Sequence, residues 1–417
     1  MNFIKASFFS GISTLLQMLA SLVLYKLVAI KVGAEGIGQL GQFVTLLSIV
    51  LIISNAGINN GVIKLVAQSK SDIGELRKVI QTAFVIIFIS AFFCIITFFF
   101  ILNYIFTTVF YLEILDSNFF IIFLISIFFI SMSQFMLSII NGFKHTKIYA
   151  VSISIASILS IISSFFLIQK FGLYGAFYSL LLNYCIQSIF LFYIVKYKLC
   201  IDIFFKFNLN IEIFKKYLNY SIMFIFSAVA IPFAQIIIRH FIGDNYSLKE
   251  MGYWESLFRI SSIYITFISV FFSIFYLPHL AERNDREIAN NGIKILKILT
   301  VLLLIMFFIV FLLKDFIITL LFSDDFLIIS NYIFIQQIGD FFRILSLSIG
   351  YIIIVKMWTK IYLIFELIHF LLLILLSYVF LKLTGDFKGA SIGYAITYFL
   401  LFVINISIFY RFKRGIK

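Results

Sequence analysis

Several of the most apolar stretches of this 417-residue chain carry side chains that hold charge. Lys26 and Lys64 interrupt two such runs in the first half. No carboxylate shares those runs, because Glu35, Asp72, Glu75, Glu113, Asp116 and Asp202 all fall in polar connections. A positive interior with no carboxylate in the same runs suits an anionic ligand. Each lysine also stands near the end of its run, where a long side chain can reach the interface instead, so both readings stay open. The second half carries both signs. Glu255 and Arg259 are four apart, which puts them on one face of a helix where they neutralise each other. Asp340 and Arg343 are three apart, as are Glu366 and His369. An ionisable group in hydrocarbon costs about 2.5–3.5 kcal/mol or more, so it pairs with another group or lines a water-filled path. Asp340 and Glu366 are therefore candidates either for buried pairing or for proton or sodium coupling.

A second unusual stretch is Asn55-Ala56-Gly57-Ile58-Asn59-Asn60-Gly61. Two glycines and three amides in seven residues weaken a membrane helix and expose backbone groups. The spacing predicts a bend or unwound segment whose asparagines line a cavity, with close packing and interhelical amide bonds as the alternative. Gly57 and Gly61 are candidate hinge residues. Pro232, one of only two prolines, is a third, since it removes a hydrogen bond inside its helix. Pro278 reads as a helix stop.

The elements that must hold these residues follow from composition. Hydrophobic residues make up 63% of the chain and charged ones 12%, against about 25% charge in soluble domains. Apolar runs of membrane-crossing length recur from end to end. They do not alternate as barrel strands do, so the fold class is all-α: a polytopic membrane protein of about 12 transmembrane helices. These are expected near 5–28, 38–66, 79–106, 118–141, 147–169, 174–196, 214–241, 251–278, 292–314, 326–355, 361–383 and 389–411. The first run is too long for a signal peptide and reads as a retained helix. Cys94, Cys185 and Cys200 are scattered, without metal spacing.

With the amino terminus inside, 22 of the 32 Lys and Arg residues fall on the cytoplasmic side and eight on the other. The asymmetry places both termini in the cytoplasm, and it accounts for the formal charge of +13 without nucleic acid. The longest mid-chain polar connection, 198–213, separates six helices in 1–197 from six in 214–417. No loop is long enough to fold alone, so function resides in the membrane. Phe171-Gly172-Leu173-Tyr174-Gly175-Ala176 before helix six echoes Gly385-Asp386-Phe387-Lys388-Gly389-Ala390 before helix twelve. Gly38 and Gly252 likewise open helices two and eight. The halves are expected to be parallel six-helix repeats, a common transporter plan. The 56 phenylalanines are expected to face lipid or packing neighbours.

Lys5-Ala6-Ser7, Ser13-Thr14-Leu15 and Lys26-Leu27 precede Ala56-Gly57, Asn60-Gly61-Val62, Lys64 and Val66-Ala67-Gln68. Leu277-Pro278, Leu280, Gly339-Asp340, Gly350-Tyr351, Lys356 and Glu366 follow in the second half. Along essentially the whole chain this pattern resembles the Wzx-type O-antigen and lipid III flippases, polysaccharide transporters of the multidrug/oligosaccharidyl-lipid/polysaccharide exporter superfamily. The resemblance implies two six-helix lobes around a central cavity, in the cell inner membrane. It implies a cargo of undecaprenyl-diphosphate-linked oligosaccharide, moved from the cytoplasmic to the periplasmic leaflet by alternating access. Lys26, Lys64 and Lys356 would attract the diphosphate, and the polyprenyl tail would stay in membrane lipid. A polysaccharide polymerase and chain-length machinery are the implied partners. Arg259 has no counterpart in the pattern. An ion-coupled drug or cation exporter of the same superfamily would need an acidic first half. A membrane glycosyltransferase or O-antigen polymerase would need larger outer loops.

Overall fold

The computed structural model describes residues 3–112, 117–197, 199, 207–356 and 358–415. Most of the connection expected at 198–213, with Cys200, lies outside the described residues. In chain order the helices are α1 (Phe3–Lys31), α2 (Ala34–Ser54), α3 (Asn59–Ser69), α4 (Ile73–Tyr104), α5 (Ser117–Gly142), α6 (Thr146–Tyr197) and α7 (Ile211–Asn245). They continue with α8 (Leu248–Phe271), α9 (Leu277–Ala281), α10 (Asp285–Leu312), α11 (Lys314–Leu321), α12 (Ile333–Val355), α13 (Thr359–Thr384) and α14 (Lys388–Gly415).

Among the described residues ten helices are long and apolar enough to cross a membrane. One of them, α6, is two helices in one. At Gly172 the backbone takes φ 56° and ψ −129°, and Ser164 then donates to Ser179 across the turn at 3.1 Å. The eleventh, α8, falls short of the hydropathy of the others because Glu255, Arg259 and its serines dilute the run. Counting α8 and both arms of α6, the described residues hold twelve helices of about membrane-crossing length, in keeping with the expected number of about 12.

Some boundaries differ from the sequence expectation. The helix expected at 38–66 is two helices, parted at residues 55–58. The one expected at 326–355 starts at Ile333, because Asp324–Asn331 winds into a 3-10 segment instead. Pro278 does not stop its helix. It sits within α9, which runs to Ala281.

Helix starts are set by side chains that satisfy backbone N–H groups left without an intrahelical acceptor. Asp72 accepts from Gly74 N at 2.8 Å and from Glu75 N at 3.2 Å. Asn210 caps α7 through Ile213 N at 3.1 Å, Ser247 caps α8 through Glu250 N at 3.1 Å, and Asn284 caps α10 through Glu287 N at 3.0 Å.

Two compact units result: Met1–Val32 with Gln42–Phe233, and Gly33–Gly41 with Ala234–Lys417. The division falls inside α2 and, one residue beyond Pro232, inside α7, which is helical throughout. In the first unit, Val79, Ile80, Phe135, Ile139 and Val195 belong to one buried core. Phe43, Phe106, Phe119, Phe123 and Phe177 are also buried, with Phe43 stacked on Phe177 at 4.2 Å between centroids. The second unit has its own core, including Phe307, Ile344, Ile349 and Phe409. Many other phenylalanines, among them Phe92, Phe100, Phe166 and Phe308, are exposed on the helix surfaces where lipid would lie.

The sequence echo has a structural meaning. Gly172 and Gly385 both adopt positive φ, 56° and 74°. A few residues later Gly175 and Gly389 rest on the carbonyls of Leu167 and Phe380, each five residues before its turn glycine. The same helical hairpin therefore joins the two arms of α6 in the first unit and α13 to α14 in the second, and a side chain at Gly175 or Gly389 would strike backbone. Gly175→Val is expected to lower stability by about 1–3 kcal/mol or more, whereas Gly11→Ala, with nothing within 4 Å of its Cβ, should be neutral or slightly stabilising. Thermal inactivation in detergent, followed by size-exclusion chromatography, checks both. Equal behaviour of the two variants would refute the close-packed hairpin.

Candidate functional sites within each unit

The predicted weak point in the second sequence helix is a real break. α2 ends at Ser54, Ala56 and Gly57 take φ 49° and 62°, and α3 begins at Asn59. A left-handed alanine is unfavourable, so neighbours must hold it. Ser221 of α7 donates its hydroxyl to the Ala56 carbonyl, and Ser90 of α4 donates to the Ile53 carbonyl at 2.6 Å. A Cβ on Gly57 would lie 2.6 Å from Ile225 Cγ1. Asn55 is fully buried and donates to the Leu51 carbonyl at 3.0 Å. Its Oδ1, with Asn59 Oδ1 and Ser54 Oγ, is buried without a hydrogen-bond partner. Asn60 and Lys64, one turn apart on α3, are exposed, whereas Gly61 is buried. The break thus gathers buried polar atoms that the protein itself leaves without a hydrogen bond.

The same unit holds a partly open cavity of about 350 Å³. From α1 come Gln17, Ser21 and Tyr25, and from α5 Gln134. The first arm of α6 adds Tyr149, Ser157 and Ser160, and its second arm Asn183, Tyr184 and Gln187. Ten of the 18 lining residues are therefore polar, and none is ionisable at neutral pH. Lys26, next to Tyr25, is half-buried but is not among the lining residues. Asn55, Asn59, Asn60 and Lys64 also lie outside the lining, although Leu51, just before the break, belongs to it. These amides could have been found in the sequence, since Gln17, Gln134, Asn183 and Gln187 each interrupt an apolar run without charge.

In the second unit the charged residues form two clusters. Glu255 accepts from Arg239 at 2.8 Å and from Arg259 at 3.1 Å, with Glu255 and Arg239 fully buried. The Arg239 guanidinium also lies 5.5 Å from the Trp254 ring centroid. The Glu255–Arg259 pair expected from spacing is present, but it is one side of an Arg–Glu–Arg triad. Arg239 was invisible as its partner because it comes from the preceding helix. Gly41 seats against the Glu255 carboxyl group, leaving no room for a side chain there.

The second cluster joins Asp340 and Arg343 through a third residue. Tyr394 of α14 stands between them, donating to Asp340 Oδ1 at 2.7 Å and accepting from Arg343 Nη1 at 3.1 Å. Asp340 Oδ2 receives the Ser261 hydroxyl at 2.6 Å and that of Tyr264. The Arg343 guanidinium lies 5.3 Å from the Tyr398 ring centroid. Tyr398 OH is 3.0 Å from His369 Nε2, and His369 Nδ1 is 3.7 Å from Glu366. One polar chain therefore links Asp340 to Glu366 through residues of α12, α13 and α14, with α8 bonded to its Asp340 end. Its tyrosines carried only a weak signal, two hydroxyls four apart on α14. Lys356 lies elsewhere, beyond the end of α12, paired with Asp285.

The chain matches the family described as "Polysaccharide biosynthesis protein" over residues 3–283. It is 26% identical over 422 residues to proteins named "Lipid III flippase" from Escherichia coli (strain K12) and from Shigella flexneri, covering 99% of this chain and all of theirs. Its fold is similar to a multidrug resistance MATE family transporter of the MOP superfamily in an inward-facing conformation, with a TM-score of 0.81. That match covers 95% of this chain and 96% of the other at 16% identity.

The triad and the polar chain make separable demands on stability. Glu255→Leu leaves two guanidinium groups facing each other without their shared carboxylate, which is expected to cost about 3–5 kcal/mol. Arg259→Met keeps the Arg239–Glu255 pair and should cost much less. Tyr394→Phe removes the bridge between Asp340 and Arg343 and should cost about 1–3 kcal/mol. Midpoints of thermal unfolding in detergent rank the three, and a silent Glu255→Leu would contradict the triad.

Proposed function

The chain belongs to the polysaccharide biosynthesis protein family, and from that premise we propose that it is a flippase for lipid-linked oligosaccharides. It is a transporter and not an enzyme. The observation that carries the reading is the match to the lipid III flippases along 99% of the chain. We propose that the cargo is an undecaprenyl-diphosphate-linked repeat unit of O-antigen type, carried from the cytoplasmic to the periplasmic leaflet of the inner membrane, with both termini cytoplasmic.

The physical problem is the headgroup. A diphosphate carrying sugars cannot cross hydrocarbon unhydrated, whereas the polyprenyl tail is at home there. Support comes from the first unit, whose described acidic residues, Asp72, Glu75 and Glu212, are all exposed. A cation exporter would draw on buried carboxylates there; an anionic cargo draws on Lys26 and Lys64. In this reading Lys26 and Lys64 attract the diphosphate, with Lys356 acting from the second unit once it leaves Asp285. Asn55, Asn59 and Asn60 offer amides at the helix break.

Directional transport requires two states that bind the cargo differently. Pro232 beside the division of the two units, and Gly57 in the broken helix, are the proposed points of bending, with Gly61 beside them. Proton or sodium coupling would act through Asp340 and Glu366, which the tyrosine–arginine–histidine chain connects; Glu255 and Arg259 serve as structural charges.

Replacing Lys64 or Lys26 with Ala should lower the rate of cargo export by about tenfold, a change of about 1.4 kcal/mol, without changing the amount of protein in the membrane. Surface polysaccharide measured against membrane-protein level reads this directly. Full export by either variant removes that lysine from the mechanism.

A further inference from the structure

We infer that the neutral polar cavity of the first unit is a carbohydrate site, which receives an uncharged sugar of the cargo separately from its diphosphate. The inference rests on the flippase reading and adds a binding site to it. Polar side chains are costly in a membrane protein's interior unless something bonds to them, yet ten of the 18 residues around this cavity are polar. Asn183 Oδ1 faces that demand unmet, being buried without a hydrogen-bond partner.

The chemistry of the lining selects among ligands. A cation site calls for carboxylates and a phosphate site for lysine or arginine; neither kind lines the cavity. The amides of Gln17, Gln134, Asn183 and Gln187 each both donate and accept, as ring hydroxyls and acetamido groups require. Tyr25, Tyr149 and Tyr184 add flat apolar faces with a polar tip, suited to the C–H face of a sugar ring. At about 350 Å³ the cavity falls within the range of small-molecule sites, about 300–1,000 Å³. The lysines proposed for the diphosphate lie outside it, so sugar and phosphate would be read by different residues.

The test uses the full chain in nanodiscs and two probes: undecaprenyl diphosphate, and the same lipid bearing one N-acetylglucosamine. The wild type should bind the glycosylated lipid at least about tenfold more tightly, and free N-acetylglucosamine weakly, as expected for about two buried hydrogen bonds to a neutral group. Gln17→Leu and Asn183→Leu, from two different helices, should each bring the two lipids to equal affinity while leaving affinity for the bare lipid unchanged. A sugar preference that survives both substitutions overturns the carbohydrate site and leaves the flippase reading standing. Failure of the wild type to bind either lipid overturns both. Should one variant fail to fold, as judged by size-exclusion chromatography, the other decides.

Discussion

Hydrocarbon offers a polar group no hydrogen-bond partner, and nearly every feature of this structure answers that constraint. Backbone groups are satisfied within helices. Hydroxyls inside those helices turn back on their own carbonyls, as Ser126 does on Ile122 and Ser152 on Ile148. Where the helix is interrupted, at residues 55–58, serines from two other helices take up the released carbonyls of Ile53 and Ala56. Buried charge is handled in the same way. Glu255 is held by two arginines, and Asp340 by two tyrosines and a serine.

What the constraint leaves over is informative. The first unit keeps polar atoms that its own structure does not satisfy, at the helix break and around the cavity. The second unit bonds its buried charged side chains into two clusters, and it too holds buried polar atoms without a hydrogen-bond partner, among them Gln336 Oε1, Ser377 Oγ and Asn405 Oδ1. The two units thus share a helical hairpin and diverge in their interiors. The first gathers uncharged polar groups around a cavity, and the second joins Asp340 to Glu366 through a run of side-chain contacts. A transporter for a bulky polar headgroup needs both a place to receive it and a framework that stays intact while shape changes.

The helices were legible because length and hydropathy are local properties. Even the break at Asn55–Gly61 and the paired hairpin glycines could be read, since each leaves a compositional mark within a few residues. Boundaries were lost where tertiary contacts outweighed hydropathy, as at Asp324–Asn331, whose apolar residues form 3-10 turns. Pairing was legible only within one helix. Glu255 with Arg259 followed from spacing, but Arg239 came from another helix and spacing gave no hint of it. Spacing likewise gave no hint that Tyr394, 51 residues beyond Arg343, bridges Asp340 and Arg343. The cavity was missed because attention to charge passes over uncharged amides, although each stood in plain view within an apolar run.

The proposed cargo is the centre of the account, and its distribution between leaflets is the direct measurement. In cells lacking the protein, lipid-linked oligosaccharide should accumulate in the cytoplasmic leaflet of the inner membrane, inaccessible to a membrane-impermeant probe applied to spheroplasts. Restoring the wild-type chain should return it to the outer leaflet. An unchanged amount and unchanged accessibility in the deficient cells would contradict the account.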